Sequence, residues 1–272
     1  MRFRPSPANP HTALRFAYAW EHIPPDTASH LDVGCYDGEF LAGLTSRGIG
    51  RLVGADASST AIAKARRAHP QCEFVHLSPP EGDLPFADES FTSVSLLEVI
   101  EHVADQKHLL GEVHRVLAPG GLLLVSVPGK HLFSFLDVGN LKFRFPHLHR
   151  WFYVRKHGRE EYLRRYVDNP EGLVGDISMK KRWHEHFRSD GLKQLLRSSG
   201  FEVLDIDGAG FFWRLILGSR IALNQLRFVP GSQALTAVLA KAYQWDNSLG
   251  SVANLFCLAR RPAETTGKES PR

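Results

Sequence analysis

The sequence predicts an α/β protein whose core is a Rossmann-like, doubly wound, mostly parallel sheet with helices on both faces. Three observations predict it. Strand-like and helix-like patterns alternate from about residue 29 to residue 127, which calls for right-handed crossovers. The apolar stretch Leu122–Val127 suits a central strand covered on both sides. The turn in His30-Leu-Asp-Val-Gly-Cys-Tyr-Asp-Gly-Glu39 joins a buried strand to a helix, at the place where open α/β sheets receive ligands.

Each element follows from local pattern. Residues 11–22 read as a helix with Leu14, Ala17 and Tyr18 on one face, stopped by Pro24-Pro25. Leu31–Gly34 is a short buried strand, Glu39–Ser46 a helix closed by Arg47-Gly48, and Arg51–Ala55 the second strand. Ser58 caps a helix through Ala68 that turns Ala61, Ile62 and Ala65 inward. Glu73–Leu77 and Phe91–Leu97 are the third and fourth strands. A helix over about 105–117 carries Leu109, Leu110, Val113, Val116 and Leu117 at helical spacing, and Ala118-Pro-Gly-Gly121 is expected to break it before the fifth strand, Leu122–Val127. Beyond Pro128 the period is lost until a helix at Ser189–Ser198 and a strand at Phe201–Ile206. Residues 211–246 read as two helices about Pro230-Gly231, Ala253–Ala259 as the last strand, and the polar tail as disordered.

A chain of 272 residues is long for one such domain. The reading is a single domain over 1–262 with a cap insertion at about 129–187, a helical insertion at about 208–250 and a tail at 263–272. Hydrophobic residues at 43% and charged residues at 23% exclude a mainly disordered chain. The sequence shows no apolar run long enough to span a bilayer and no secretory leader behind Met1, so a cytoplasmic protein is expected. Cys35, Cys72 and Cys257 lie far apart, which suits reduced core thiols rather than a disulfide framework or zinc site.

The net charge of +4 is unevenly placed. Between Leu141 and Arg188 twelve Lys and Arg face six Asp and Glu, together with nine aromatic residues. Such a stretch points to an anionic or planar partner, or to a membrane surface.

The glycine turn admits a ligand at a helix N-terminus, and Asp56 closes the second strand where a carboxylate would accept a ribose diol. The dinucleotide fingerprint G-x-G-x-x-G fails, because Tyr36 and Glu39 stand where its later glycines belong. Hydride transfer is therefore the weaker option.

Six segments in order resemble the class I S-adenosylmethionine-dependent methyltransferases, the broad family that includes ubiquinone-biosynthesis methyltransferases. They are Leu31-Asp-Val-Gly-Cys35 with Gly38, then Asp56, and Asp83-Leu-Pro-Phe86 followed by Asp88-Glu-Ser-Phe91. Glu98-Val-Ile-Glu-His-Val103, Arg115-Val-Leu-Ala-Pro-Gly-Gly121 and His184-Glu-His-Phe187 with Leu192–Phe201 complete the set. The resemblance implies strand order 3-2-1-4-5-7-6 with the last strand antiparallel, and S-adenosyl-L-methionine as cofactor. It implies that Asp32 orients the methionyl amino group, Gly34 and Gly38 admit the cofactor backbone, and Asp56 holds the ribose. The loop at Asp83 and Leu84 would flank the adenine, and Leu97 the sulfonium.

Three residues depart from the family pattern. Tyr36 replaces the middle glycine, so Tyr36 itself becomes a cofactor-side candidate. The usual adenine acid falls on Ser78 or Pro80, so either Asp83 or Glu81 substitutes or the contact is absent. Thr92 replaces a common aspartate.

Methyl transfer needs proximity and, for an oxygen acceptor, deprotonation by a base or a metal. If a helix begins after the fourth strand, Glu98 shares a face with Glu101 and His102. Glu98 and His102 are thus the catalytic candidates. Glu98, Glu101 and His102, with His186 or His184 as a fourth ligand, are candidates to hold a divalent cation such as Mg²⁺. His131 and Asp137 are further acceptor-side candidates. The basic cap suits an anionic or aromatic small-molecule acceptor, and nucleic acid less well. The second insertion, with Arg214, Arg220 and Arg227 along an apolar stretch, suits a peripheral membrane contact, packing on the cap, or a homodimer contact. The resulting reading is a methyltransferase acting on a small molecule, most simply at oxygen. Two others stay open: a cofactor-binding protein without catalysis, and an RNA-binding methyltransferase using the cap.

Overall fold

The computed structural model describes residues 10–77, 83–130, 144–166, 185–209 and 254–263. Seven strands form one sheet: β1 (Ser29–Val33), β2 (Arg51–Asp56), β3 (Glu73–His76), β4 (Phe91–Leu97), β5 (Leu117–Pro128), β6 (Glu202–Ala209) and β7 (Asn254–Arg260), in the order β3-β2-β1-β4-β5-β7-β6. The first five pair in parallel, and β7 runs antiparallel to both β5 and β6. The expected topology is therefore the observed one.

Seven α-helices stand among the described residues, α1 (Pro10–His22), α2 (Glu39–Leu44), α3 (Ser59–Ala68), α4 (Gln106–Val116), α5 (Pro146–His157), α6 (Arg159–Tyr166) and α7 (Ser189–Ser198), of which α5 and α6 pack on each other and contribute nothing to the sheet's core clusters. On one face, Leu31, Val33, Val94, Leu96, Leu123 and Val125 pack with α4 (Leu110, Val113, Val116) and α7 (Leu192, Leu196). On the other, Leu97 and Leu124 pack with Phe16, Ala19 and Ile23 of α1, Phe40, Leu41 and Leu44 of α2, and Ile62 and Ala65 of α3. The alternation along each strand divides its side chains between these two cores. Ser58 caps α3, its hydroxyl accepting from the Ala61 N–H, and Asp105 caps α4 by accepting from the His108 N–H.

Several boundaries differ from expectation for physical reasons. β1 begins at Ser29, because its N–H bonds the Thr92 hydroxyl, which in turn donates to the Ser29 carbonyl. Ala118-Pro-Gly-Gly121 does not precede β5 but lies within it. There Gly120 takes φ +77° and exchanges backbone hydrogen bonds around Arg261, and the ladder to β4 shifts register. The stretch after Pro128, which lacks a sequence period, holds α5 and α6. In α1 the buried side chains are Leu14, Phe16, Tyr18 and Ala19, and Ala17 is only half-buried. All three cysteines are free, with Cys35 and Cys257 buried and Cys72 half-buried.

Candidate active site

The site is built at the carboxyl ends of β1, β2, β4 and β5. After β1 the chain turns sharply: Gly34 and Gly38 both sit at φ +79°, and Tyr36 at φ +49°. The turn is fastened by Gly34 and Cys35 N–H bonds to the Ala55 carbonyl (2.7 and 3.2 Å) and by the Tyr36 N–H to Asp56 Oδ2 (2.8 Å). The second Asp56 oxygen accepts from the Ser58 N–H at 2.8 Å. The Tyr36 ring is 62% exposed, so the side chain that replaces a glycine points outward rather than filling the turn. A Cβ on Gly34 would strike Val99 Cγ2, and one on Gly38 would come within 2.6 Å of the Phe74 ring.

Asp32 is buried on the α1/α2 side of β1 within a polar stripe that crosses two strands. Ser95 Oγ donates to Asp32 Oδ1 at 2.5 Å, His30 Nε2 lies 3.0 Å from Ser95 Oγ, and His30 Nδ1 lies 2.8 Å from Ser93 Oγ. Burial pushes the Asp32 carboxyl up to about 7; the Ser95 hydrogen bond opposes this, nearby Asp56 adds to it, and the Arg15 charge opposes it. Burial pulls His30 down to about 3, so its ring is neutral. Arg15 reaches this neighbourhood from α1, with its Nε buried and no hydrogen-bond partner among the described residues.

The loop before β4 is held by one guanidinium. Arg115 donates to the carbonyls of Leu84 (2.9 Å) and Phe86 (2.8 Å), to Asp88 (2.7 Å) and to both oxygens of Glu112 (2.8 Å each), while Glu112 accepts the Leu84 N–H at 2.7 Å. Arg115 in turn holds the Glu112 carboxyl below its usual range. Leu84 is buried in the α4-side core, whereas Asp83 is exposed and pairs with His108 at 3.4 Å. Leu97 ends β4, buried in the α1-side core.

The acid and histidine segment does not take the expected α-helical form. Glu98 stands apart at φ +61°, accepting the Ser126 hydroxyl at 3.1 Å, and only Ile100–His102 forms a single 3-10 turn. Helical spacing therefore does not relate Glu98 to Glu101 and His102, because Glu98 lies outside the turn in a left-handed conformation. Glu101 is fully buried, with Oε1 3.6 Å from His102 Nε2. His186 lies on the segment pinned to β5 by the Phe187 N–H to the Pro128 carbonyl (2.8 Å) and the Lys130 N–H to the Phe187 carbonyl (2.7 Å). Beside it, Glu185 Oε2 accepts from Gln106 Nε2 at 2.8 Å.

Among the described residues no three His, Cys, Asp or Glu side chains form a group able to hold a metal ion. The set Glu98, Glu101, His102 and His186 therefore does not fit the divalent cation expected of it. His184, Ser78, Pro80, Glu81, His131, Asp137 and residues 210–250 lie outside the described residues. Sequence reasoning missed His30 and Ser95, Arg15, Val99 and the Gln106–Glu185 pair. A signal existed for the first: His30 is two residues before Asp32 in a strand, and so on the same face.

A glycine-cradled strand-to-helix turn, an acid at the next strand's end and an acid-histidine turn beside them lie together at the carboxyl ends of the strands, where open α/β sheets receive ligands. Comparison with known proteins identifies the class. A family profile described as "Methyltransferase domain" matches residues 9–206. The chain belongs to the S-adenosylmethionine-dependent methyltransferases of class I.

It is 36% identical over 104 residues to a Mycolicibacterium smegmatis protein named for that activity, a match covering 38% of this chain and 39% of that protein. The matched stretch thus spans about two fifths of that relative's length. A demethylmenaquinone methyltransferase of Symbiobacterium thermophilum is 28% identical over 64% of this chain and 68% of its own. A ubiquinone biosynthesis O-methyltransferase of a Bradyrhizobium species is 35% identical over 39% of this chain and 42% of its own. An S-adenosylmethionine-dependent methyltransferase structure from Mesorhizobium loti shares the fold, with TM-score 0.51 and 20% identity over 91% of this chain and 98% of that one.

Proposed function

We propose that this methyltransferase transfers a methyl group to an oxygen of a small-molecule acceptor, with His102 as general base and Glu98, held apart from it by the Ser126 hydroxyl, as a second acceptor-side carboxylate. The observation that carries the reading is the contact between Gly34 and Val99. A Cβ at Gly34 would overlap Val99, so the cofactor turn and the Glu98–His102 segment form one wall. Donor and acceptor would meet across it.

Bound S-adenosylmethionine supplies an electrophilic methyl on a sulfonium. The residues present fit it: the left-handed glycines leave room for its backbone, and Asp56 closes β2 where a carboxylate would meet a ribose diol. Asp32 would face the methionyl ammonium, and Arg15 the methionyl carboxylate. The Arg115-anchored loop with Asp83 and Leu84 would border the adenine, the outward Tyr36 would cover the ribose side, and Leu97 would line the transfer path. His102, half-buried next to the buried Glu101 carboxylate, would take the acceptor proton, and Glu101 would favour the imidazolium so formed. No step is assigned to a metal. Support for oxygen comes from the ubiquinone O-methyltransferase among the relatives, and the basic residues of 141–188 favour an anionic acceptor.

The test is methyl transfer from labelled cofactor to phenolic and carboxylate acceptors, with calorimetric cofactor binding measured alongside. His102→Ala is expected to lower kcat by about 100-fold or more while cofactor affinity stays unchanged. Cofactor binding without turnover on any acceptor would favour a non-catalytic binding protein. Turnover on amines only would sink the oxygen reading.

A further inference from the structure

Helix α5 presents two unlike sides. One side carries His149, Tyr153 and His157, whose rings pack on each other and on Tyr162 and Tyr166 of α6 at centroid distances of 4.6–6.3 Å. The other side carries Phe145 at the helix start and then Leu148, Trp151 and Phe152, at i, i+3, i+6 and i+7. These are 52%, 58%, 59% and 46% exposed, and no residue of α5 is buried. Arg155 sits over the Trp151 ring at 5.9 Å, and Lys156 follows it. From Arg144 to Tyr166 seven Lys and Arg stand against two Glu, one of which, Glu161, is bound to Arg164.

We infer that this side of α5 docks on an anionic lipid surface, with Phe145, Leu148, Trp151 and Phe152 entering the headgroup boundary and the flanking Arg and Lys meeting lipid phosphates. Large apolar side chains clustered on a convex, basic helix fit a flat, negatively charged, water–hydrocarbon boundary. The stack on α6 holds the helix from behind, so the exposed row is presented by a braced support.

Charge argues against the other occupants. A second copy docked through the same side would bring two strongly basic surfaces together, as a two-fold contact must. The chain's own 210–253 segment carries Arg214, Arg220, Arg227 and Lys241 against Asp246, so it is like-charged. A convex row centred on Leu148 offers no groove for a nucleic-acid backbone. The inference does not depend on the acceptor assigned above.

The test uses the full chain and sedimentation with vesicles of phosphatidylcholine alone or mixed with phosphatidylglycerol. Binding is expected only to the anionic vesicles, weakening as salt rises. Trp151→Ser with Phe152→Ser should weaken it about tenfold or more, and Arg155→Glu with Lys156→Glu comparably. Both variants should keep the wild-type melting temperature and cofactor affinity, since these side chains face solvent. Equal binding to both vesicle types, undiminished binding by the Trp151/Phe152 variant, or displacement of the chain from vesicles by single-stranded RNA would each overturn the assignment.

Discussion

Ser95 Oγ gives its only proton to Asp32 Oδ1 at 2.5 Å and lies 3.0 Å from His30 Nε2 on its other side. With that proton used, Nε2 of His30 carries a hydrogen toward Ser95, while Nδ1 lies 2.8 Å from Ser93 Oγ, whose hydroxyl also reaches the Ser29 carbonyl at 3.3 Å. A buried imidazole, kept neutral, thus aims a hydroxyl at the carboxylate assigned to the cofactor's ammonium.

Cofactor affinity should rise with pH across neutrality. Asp32 is pushed up to about 7 by burial, and a bound ammonium favours its ionised form. Binding at pH 8 is expected to be tighter than at pH 6 by up to about tenfold, with proton release at pH 6 visible as a dependence of calorimetric heat on the buffer. Asp32→Asn should weaken binding and flatten the profile. A steep profile in that variant would remove Asp32 from the role.

His30 and Asp32 should pull stability in opposite directions between about pH 5 and 7. His30, lowered from 6.5 to about 3, contributes stability that is present above 6.5 and lost as pH falls toward 3. Asp32, raised from 3.8 to about 7, contributes stability that is present below 3.8 and lost as pH rises through 7. The two slopes offset in the wild type. Thermal melts of Asp32→Asn should show a steeper loss on acidification, and those of His30→Gln a shallower one. Parallel curves for all three proteins would refute the coupling.

Gly34→Ala should cost about 1–3 kcal/mol of stability, from the left-handed backbone and the collision with Val99. Adding Val99→Ala should return only the steric share, leaving about 1 kcal/mol of backbone cost. Denaturant midpoints of the single and double variants measure both shares.

Arg115→Leu removes the fork that ties Leu84, Phe86 and Asp88 to α4 and leaves Glu112 with an uncompensated charge. A loss of about 2–3 kcal/mol is expected. Because the loop is assigned to the adenine, the KM for cofactor should rise more than kcat falls. The reverse pattern would place the loop elsewhere.

Chelation should leave the methyl-transfer rate unchanged, since the described carboxylates and imidazoles do not assemble a metal site. Activity lost in chelator and restored by one divalent ion would reinstate the expectation drawn from Glu98, Glu101 and His102.

The α/β sheet was legible because its strands carry short-range signals, whereas the strand order came from the resemblance of six ordered segments, since pairing between distant strands leaves no local mark. Alternation of apolar runs marks the sheet, and Gly34, Gly38 and Asp56 sit at strand ends that any crossover must expose. The polar stripe was half legible, since strand periodicity puts His30 with Asp32, but Ser93 and Ser95 join them only through β1–β4 pairing. The acid-histidine segment misled because helical spacing was assumed where Glu98 adopts a left-handed backbone, a conformation no periodicity marks. Helices α5 and α6 were hidden for the converse reason: none of their described side chains is buried, and the apolar row of α5 faces solvent among basic residues instead of marking a core face.

The segments 129–187 and 209–254 each begin and end on neighbouring backbone positions. Asn254 pairs with Pro128 on one side and Ala209 on the other, and Gly129 bridges to Phe187. The ends of each segment are therefore held close together. Closing such a loop costs only about 0.6 kcal/mol more for each doubling of its length. A change of length in either segment is therefore expected to cost the sheet little stability, because its ends stay on neighbouring rungs.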